Sequence, residues 1–164
     1  MSKGAFISIL VAGFLVFWIF GMVTSLASSS CVNGLTTPER TDKACWLSEH
    51  GLAVHWRIGQ PRKPSDARLF IGYAVASLRA GDMDRAEEKF RIAYEWGSKS
   101  RRKIELKSGY KIPDALLNAV ARIHMDQVPK EARAMWWEIV SENDPDLVTA
   151  FVAHVTAAQE EDTL

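Results

Sequence analysis

One uncharged run governs what this chain can fold into: over the 24 residues from Gly4 to Ala27 (GAFISILVAGFLVFWIFGMVTSLA) there is no formal charge, and the next charged residue follows only after Pro38. At about 1.5 Å of rise per residue such a run makes a helix of about 36 Å, longer than the ~30 Å hydrocarbon core of a bilayer. It predicts one transmembrane helix over residues 4–27 behind a short tail at 1–3. A secretory signal has a shorter apolar core of about 7–15 residues, so a retained anchor is the expectation. Lys3 in front of the run and the small residues Ala27, Ser28 and Ser29 behind it keep a cleaved, soluble secreted binding module as an alternative. Acylation at Cys31 would require an aliphatic residue where Ser28 stands. Within the span, Ser8 and Ala12, and Gly21 and Ser25, form small-residue steps of four that would let a neighbouring helix come close; these are the transmembrane packing candidates.

Orientation is poorly served by charge, because Lys3 on one side faces Arg40 and Lys43 on the other. The two cysteines decide it. Cys31 and Cys45 both fall in the first stretch beyond the membrane, where an oxidising compartment would let them pair and close a loop at a gain of about 3 kcal/mol. Two unrelated thiols are the alternative. The expected location is the inner (cytoplasmic) membrane, single-pass, with the C-terminal part on the periplasmic side. Lys plus Arg (20) balance Asp plus Glu (20), so no global field points to nucleic acid.

Beyond the span, residues 28–64 read as a membrane-proximal linker followed by a helical segment. The small, polar stretch 28–37 leaves the membrane, and Thr37-Pro38-Glu39 resembles a helix start leading to Ile58 with a break at Gly51. Residues 65–164 then form the folded domain. Ser65 is placed to cap a helix over 66–80 in which Phe70, Tyr73, Ala74 and Ser77 share a face, and Gly81 ends it. Asp82 or Asp84 starts the next helix, which Gly97 stops.

The stretch ARLFIGYAVASLRAGDMDRAEEKFRIAYEWGS, residues 67–98, resembles a tetratricopeptide repeat, or its Sel1-like relative. Phe70 matches the family's opening aromatic, Tyr73-Ala74 its Leu-Gly/Ala pair, and Ala86, Phe90 and Ala93 its second-helix signature. Ser77 stands where an aromatic is usual and Ser98 where proline is usual. A degenerate second pair covers 113–145 through Leu116, Ala132, Trp136 and Pro145, with bulky Val120 and Ile139 at small positions and an insertion from Arg101 to Ile112. A capping helix follows at 146–159. The resemblance implies an all-α fold, a small antiparallel helical array behind the membrane helix, that binds proteins and names no ligand.

No phosphate loop, dinucleotide fingerprint, nucleophile elbow, HExxH or CxxCH motif is present. Cys31, Cys45, His50 and His55 lack the spacing of a metal finger, so no metal and no cofactor is expected. His124 and His154 read as residues of the helical stack. Residues 97–111 hold Lys99, Arg101, Arg102, Lys103, Lys107 and Lys111 against Glu105 alone, a local +5 that suits an acidic partner or anionic headgroups. Trp136 and Trp137 point about 100° apart on a helix, which would leave one of them for an interface. Lys99, Arg101, Arg102, Lys103, Trp136 and Trp137 are therefore the partner-binding candidates. The expectation is a membrane-anchored scaffold, an accessory or assembly subunit of a membrane complex of envelope or electron-transfer type by analogy, and not an enzyme. It contacts lipid through residues 4–27 and a protein partner elsewhere, and takes no small-molecule substrate. An envelope hydrolase is the rival from another class.

Overall fold

The computed structural model describes residues 3–33, 38–57, 66–124 and 128–161, with side chains at 7–31, 42–51, 66–124 and 128–153. Its helices are α1 (Lys3–Asn33), α2 (Pro38–Arg57), α3 (Ala67–Arg79), α4 (Met83–Ser98), α5 (Asp114–Ile123), α6 (Lys130–Asn143) and α7 (Pro145–Glu161). Two short strands, β1 (Lys103–Glu105) and β2 (Lys111–Pro113), lie between α4 and α5.

The apolar run lies within α1, and its segment Ile7–Cys31 is long and apolar enough to cross a membrane. Most of that segment is exposed, from Ile7 through Val16 and Trp18 to Leu26. The helix does not end where the apolar run does. It continues through the serines to Asn33, so residues 28–33, read from sequence as linker, are helical. Serine is a tolerable helix residue, and here the helix is held by tertiary contact: Thr24, Ala27 and Cys31, three and four residues apart, are buried on one face. That face packs on α2 and α3.

α2 is a single helix through Gly51, where a break was expected. A Cβ built on Gly51 would lie 2.9 Å from Thr24 Cβ and closer still to its Cγ2, so glycine is what allows α1 and α2 to touch. The expected Thr37 and Ser65 caps lie outside the described residues.

α3 carries ten uncharged residues between Arg68 and Arg79, and a helix apolar nearly all round must be covered on all sides. Its two faces serve two cores. Leu69, Tyr73 and Ala76 meet Cys31 and Cys45, while Ala67, Phe70, Ile71, Ala74 and Val75 join the larger core of α4 to α7. Each fully buried large side chain on either face contributes about 1.5–3 kcal/mol, so α3 ties α1 to the rest of the fold. Its end is set by Gly81 at φ 81°, with Asp82 N–H donating to Ser77 O at 2.9 Å and Gly81 N–H to Leu78 O at 3.0 Å. Asp82, rather than Asp84, caps α4 by accepting the Arg85 N–H at 3.1 Å.

α4 packs closely on α3, with Ala86, Phe90 and Ala93 fully buried. Gly97 does not stop α4. It is buried, and a Cβ there would stand 3.1 Å from the Leu116 Cα, so it makes room for α5.

The Arg101–Ile112 insertion folds as an antiparallel hairpin, in register Lys103↔Pro113, Ile104↔Ile112 and Glu105↔Lys111, which corrects the all-α expectation to predominantly helical. Its turn uses Gly109 at φ 79°, and Leu106 and Ile112 enter the core. The second helical pair also departs from the repeat pattern. α5 packs chiefly on α3 and α4, and α6 on α7 and α4, with little contact between α5 and α6. Bulky Val120 and Ile139, both buried, stand where close helix approach needs small residues. The structure is thus a set of packed helices without a regular repeat array.

Candidate functional site

Two regions gather the side chains singled out above: the buried junction of α1, α2 and α3, and the surface built from the hairpin and α5 to α7.

At the junction, Cys31 and Cys45 form a disulfide with Cα atoms 4.8 Å apart, both cysteines fully buried. Cys31 Sγ lies 3.5 Å from the Leu69 carbonyl oxygen. A disulfide sulfur has no proton to give, so this is a packing contact. The Thr24 hydroxyl is satisfied within α1, donating to Phe20 O at 3.0 Å and Gly21 O at 3.1 Å, which leaves its methyl for Gly51. Above these, Lys89 of α4 donates to Glu49 of α2 at 2.8 Å and to Glu88 at 3.0 Å, with its ammonium 5.2 Å from the centre of the Tyr73 ring. Burial works against the Lys89 charge, yet hydrogen bonds to Glu49 and Glu88 outweigh it and its pKa is raised. The Tyr73 phenol is also raised, first by burial and then by the nearby Asp42 and Glu49 charges. Arg85 pairs with Asp42 at 3.5 Å and Asp82 at 3.0 Å, closing the α2–α4 contact.

The basic segment is partly consumed within the fold. Lys99 pairs with Glu95, Arg102 with Asp114 at 3.5 Å, and Lys111 with Glu105 at 3.6 Å. Counting the acids at its flanks lowers the local charge from +5 over residues 97–111 to +3 over 95–114. Arg101 and Lys103 are exposed and form no ion pair among the described residues, so they carry what remains of this candidate.

Of the tryptophan pair, Trp136 is fully buried beside Phe90, ring centres 5.7 Å apart, and so offers nothing to a partner. Its neighbour differs. Trp137 is half-buried with His124 and Phe151 around it at 5.5 and 5.4 Å, and His124 stacks on Phe151 at 5.2 Å. This surface cluster joins α5's C-terminus, α6 and α7, and sequence spacing alone did not show it. Burial, and then the Arg133 charge, lower the His124 pKa. Nearby, Tyr110 donates its hydroxyl to Asp144, whose Oδ1 also accepts the Leu147 N–H at 3.2 Å, so the hairpin is pinned to the start of α7.

The four transmembrane packing candidates lie on α1. Ser8, Ala12 and Ser25 are exposed, and Gly21 and Ser25 line a shallow apolar groove with Phe14, Phe17, Trp18, Met22 and Leu26. His50 Nδ1 lies 2.8 Å from the Trp46 carbonyl oxygen, and the two rings, tilted by 30°, have their centres 4.0 Å apart on the exposed side of α2. The side chains of His55 and His154 lie outside the described residues. No group of metal-binding side chains occurs among the described residues.

Comparison of the chain with protein-family models, with curated proteins and with solved structures gives no match.

Proposed function

We propose that the chain is a single-pass, membrane-anchored interaction subunit that acts by binding. α1 crosses the membrane, and the helical domain serves on the extracytoplasmic side as a scaffold, accessory or assembly subunit of a membrane protein complex. The observation that carries this reading is the passage of α1, as one helix, from a lipid-length exposed segment into the core of the domain through Thr24, Ala27 and Cys31. An anchor built this way confines the domain beside the membrane and raises its effective concentration towards a membrane-bound partner. The buried disulfide supports an oxidising compartment. The tightly packed α3–α4 pair, with Ala86 and Ala93 at the close approach, supports a tetratricopeptide-like binding role, and an envelope or electron-transfer complex is an analogy from that role. Cleavage after Ala27 would remove Thr24 and Ala27 from the junction and uncover Gly51, which argues against a secreted module.

The test is purification of the tagged full chain from its own membranes in mild detergent, with two altered forms. One carries Arg101→Glu, Lys103→Glu and Trp137→Ala; the other replaces residues 4–22 with an unrelated apolar helix. Co-purification of a membrane complex that either form loses is the expected result. Recovery of the chain alone in every case would overturn the reading. A reporter fused to the C-terminus and active only in the cytoplasm would overturn the orientation. If one histidine or carboxylate substitution abolished biological activity while complex and stability persisted, catalysis would replace binding.

A further inference from the structure

Two contacts fix how α2 lies against α1. Cys31 is bonded to Cys45, and Thr24 touches Gly51, so moving six residues forward along α2 moves seven residues back along α1. The helices are antiparallel, and α2 runs back the way α1 came. It does not stop at Gly51: the helix continues to Arg57, which at 1.5 Å per residue is about 9 Å further. That register places the end of α2 beside the turn of α1 that holds Trp18.

The membrane boundary on α1 can be set independently. Counting about 20 residues of hydrocarbon from Gly4 reaches Val23, and any tilt moves the boundary towards Ala27. Val23 is also where lipid-type exposure gives way to packing, since Thr24 is the first buried residue of α1 among the described side chains. Gly51 therefore stands at the boundary, and residues 52–57 lie on the hydrocarbon side of it. The sequence of α2 changes at the same height. Its first half carries Glu39, Arg40, Asp42, Lys43 and Glu49, whereas from His50 to Trp56 there is no acid, lysine or arginine, and the helix closes on Trp56-Arg57. Leu52-Ala53-Val54 are apolar, His55 is polar, and tryptophan and arginine, the types at 56 and 57, are respectively enriched at membrane–water interfaces and able to combine an apolar stem with a charged head.

We propose that the C-terminal turns of α2, residues 51–57, are a second membrane contact, inserted into the interfacial layer of the leaflet from which α1 emerges, with lipid as their partner. This rests on α1 spanning the bilayer. The protein then enters the membrane as a disulfide-joined helix pair, one member crossing and the other dipping into the near leaflet.

The experiment uses the full chain, disulfide intact, in vesicles of phosphatidylcholine with a minority of phosphatidylglycerol. Nitroxide labels are placed singly at Ala53→Cys, about half a turn round the helix from Gly51, at Phe14→Cys in the exposed part of α1, and at Glu95→Cys on the exposed side of α4. Collisions with oxygen, which enriches in lipid, are compared with collisions with an aqueous nickel chelate. The label at 53 should shift from the water-like ratio of position 95 towards the lipid-like ratio of position 14, at a shallower depth. A water-like label at 53 beside a lipid-like label at 14 would overturn the insertion while leaving the span in place. Water-like labels at both positions would overturn the span itself. If Ala53→Cys does not fold with its disulfide formed, Leu52→Cys takes its place with the same two outcomes.

Discussion

The Tyr110 hydroxyl sits 2.6 Å from each carboxylate oxygen of Asp144, a bond that joins the hairpin to the turn between α6 and α7 across 34 residues of sequence. Burial and then the Asp144 hydrogen bond push the phenol's pKa up, so the neutral phenol is the form this site holds. Tyr110→Phe keeps the ring and removes the donor. A hydrogen bond to a charged group contributes about 1.5–3 kcal/mol, and Asp144 keeps its Leu147 partner, so a loss near the lower end is expected in urea unfolding. An unchanged midpoint would show that this bond does not hold the hairpin.

The Thr24–Gly51 contact yields a swap. Gly51→Ala alone should overpack the junction and cost about 1–3 kcal/mol. Thr24→Gly combined with Gly51→Ala clears the threonine side chain from the contact while adding a methyl opposite it, and should cost less than the sum of the two single changes. Thermal unfolding of the full chain in detergent reads both. Additive losses in the pair would mean that α1 and α2 do not meet at these residues.

His124 gives a pH dependence with a definite sign. Its folded pKa lies below the usual 6.5, first because of burial and then because of Arg133, so the folded state prefers the neutral ring. This contribution is complete above about pH 6.5 and is lost as pH falls from there through the lowered folded value, because the unfolded chain takes up the proton first. The midpoint of thermal unfolding should therefore fall on acidification more for the native chain than for His124→Gln. Equal falls would place the acid sensitivity elsewhere.

The disulfide should be found already formed in native membranes. Non-reducing peptide mapping should give the Cys31–Cys45 link, and Cys31→Ser with Cys45→Ser should lower stability by about 3 kcal/mol for a loop of this size. Two thiols that alkylate freely without reductant would remove both the bond and the argument for an oxidising compartment.

Features that depend on residues near in sequence were legible. The spacing of Ala86, Phe90 and Ala93 gave one buried helix face, Gly81 gave a helix end through its positive φ, and the uncharged run gave a lipid-length helix. Features that depend on a distant partner were not. Gly51 and Gly97 read as helix breaks, but each is a point of close approach, to Thr24 and to Leu116, and nothing local distinguishes the two roles. The serines at 28–30 read as linker because the burial that keeps them helical comes from α2 and α3. Three-residue strands such as Lys103–Glu105 are too short to show an alternating pattern. The second face of α3, Leu69 with Tyr73 and Ala76, had a signal in its uncharged stretch, while the His124–Trp137–Phe151 cluster had none.

The unbroken course of α1 into the domain has a mechanical consequence. Membrane helices lean by about 20° on average, and they lean further in a thin bilayer than in a thick one. With a flexible tether that angle would be lost at the first loose residue. Here Thr24, Ala27 and the disulfide-held Cys31 clamp α1 to the domain, so in the membrane-spanning arrangement proposed above a change in lean would turn the domain through the same angle. In that arrangement bilayer thickness would set where Trp137 and Arg101 aim.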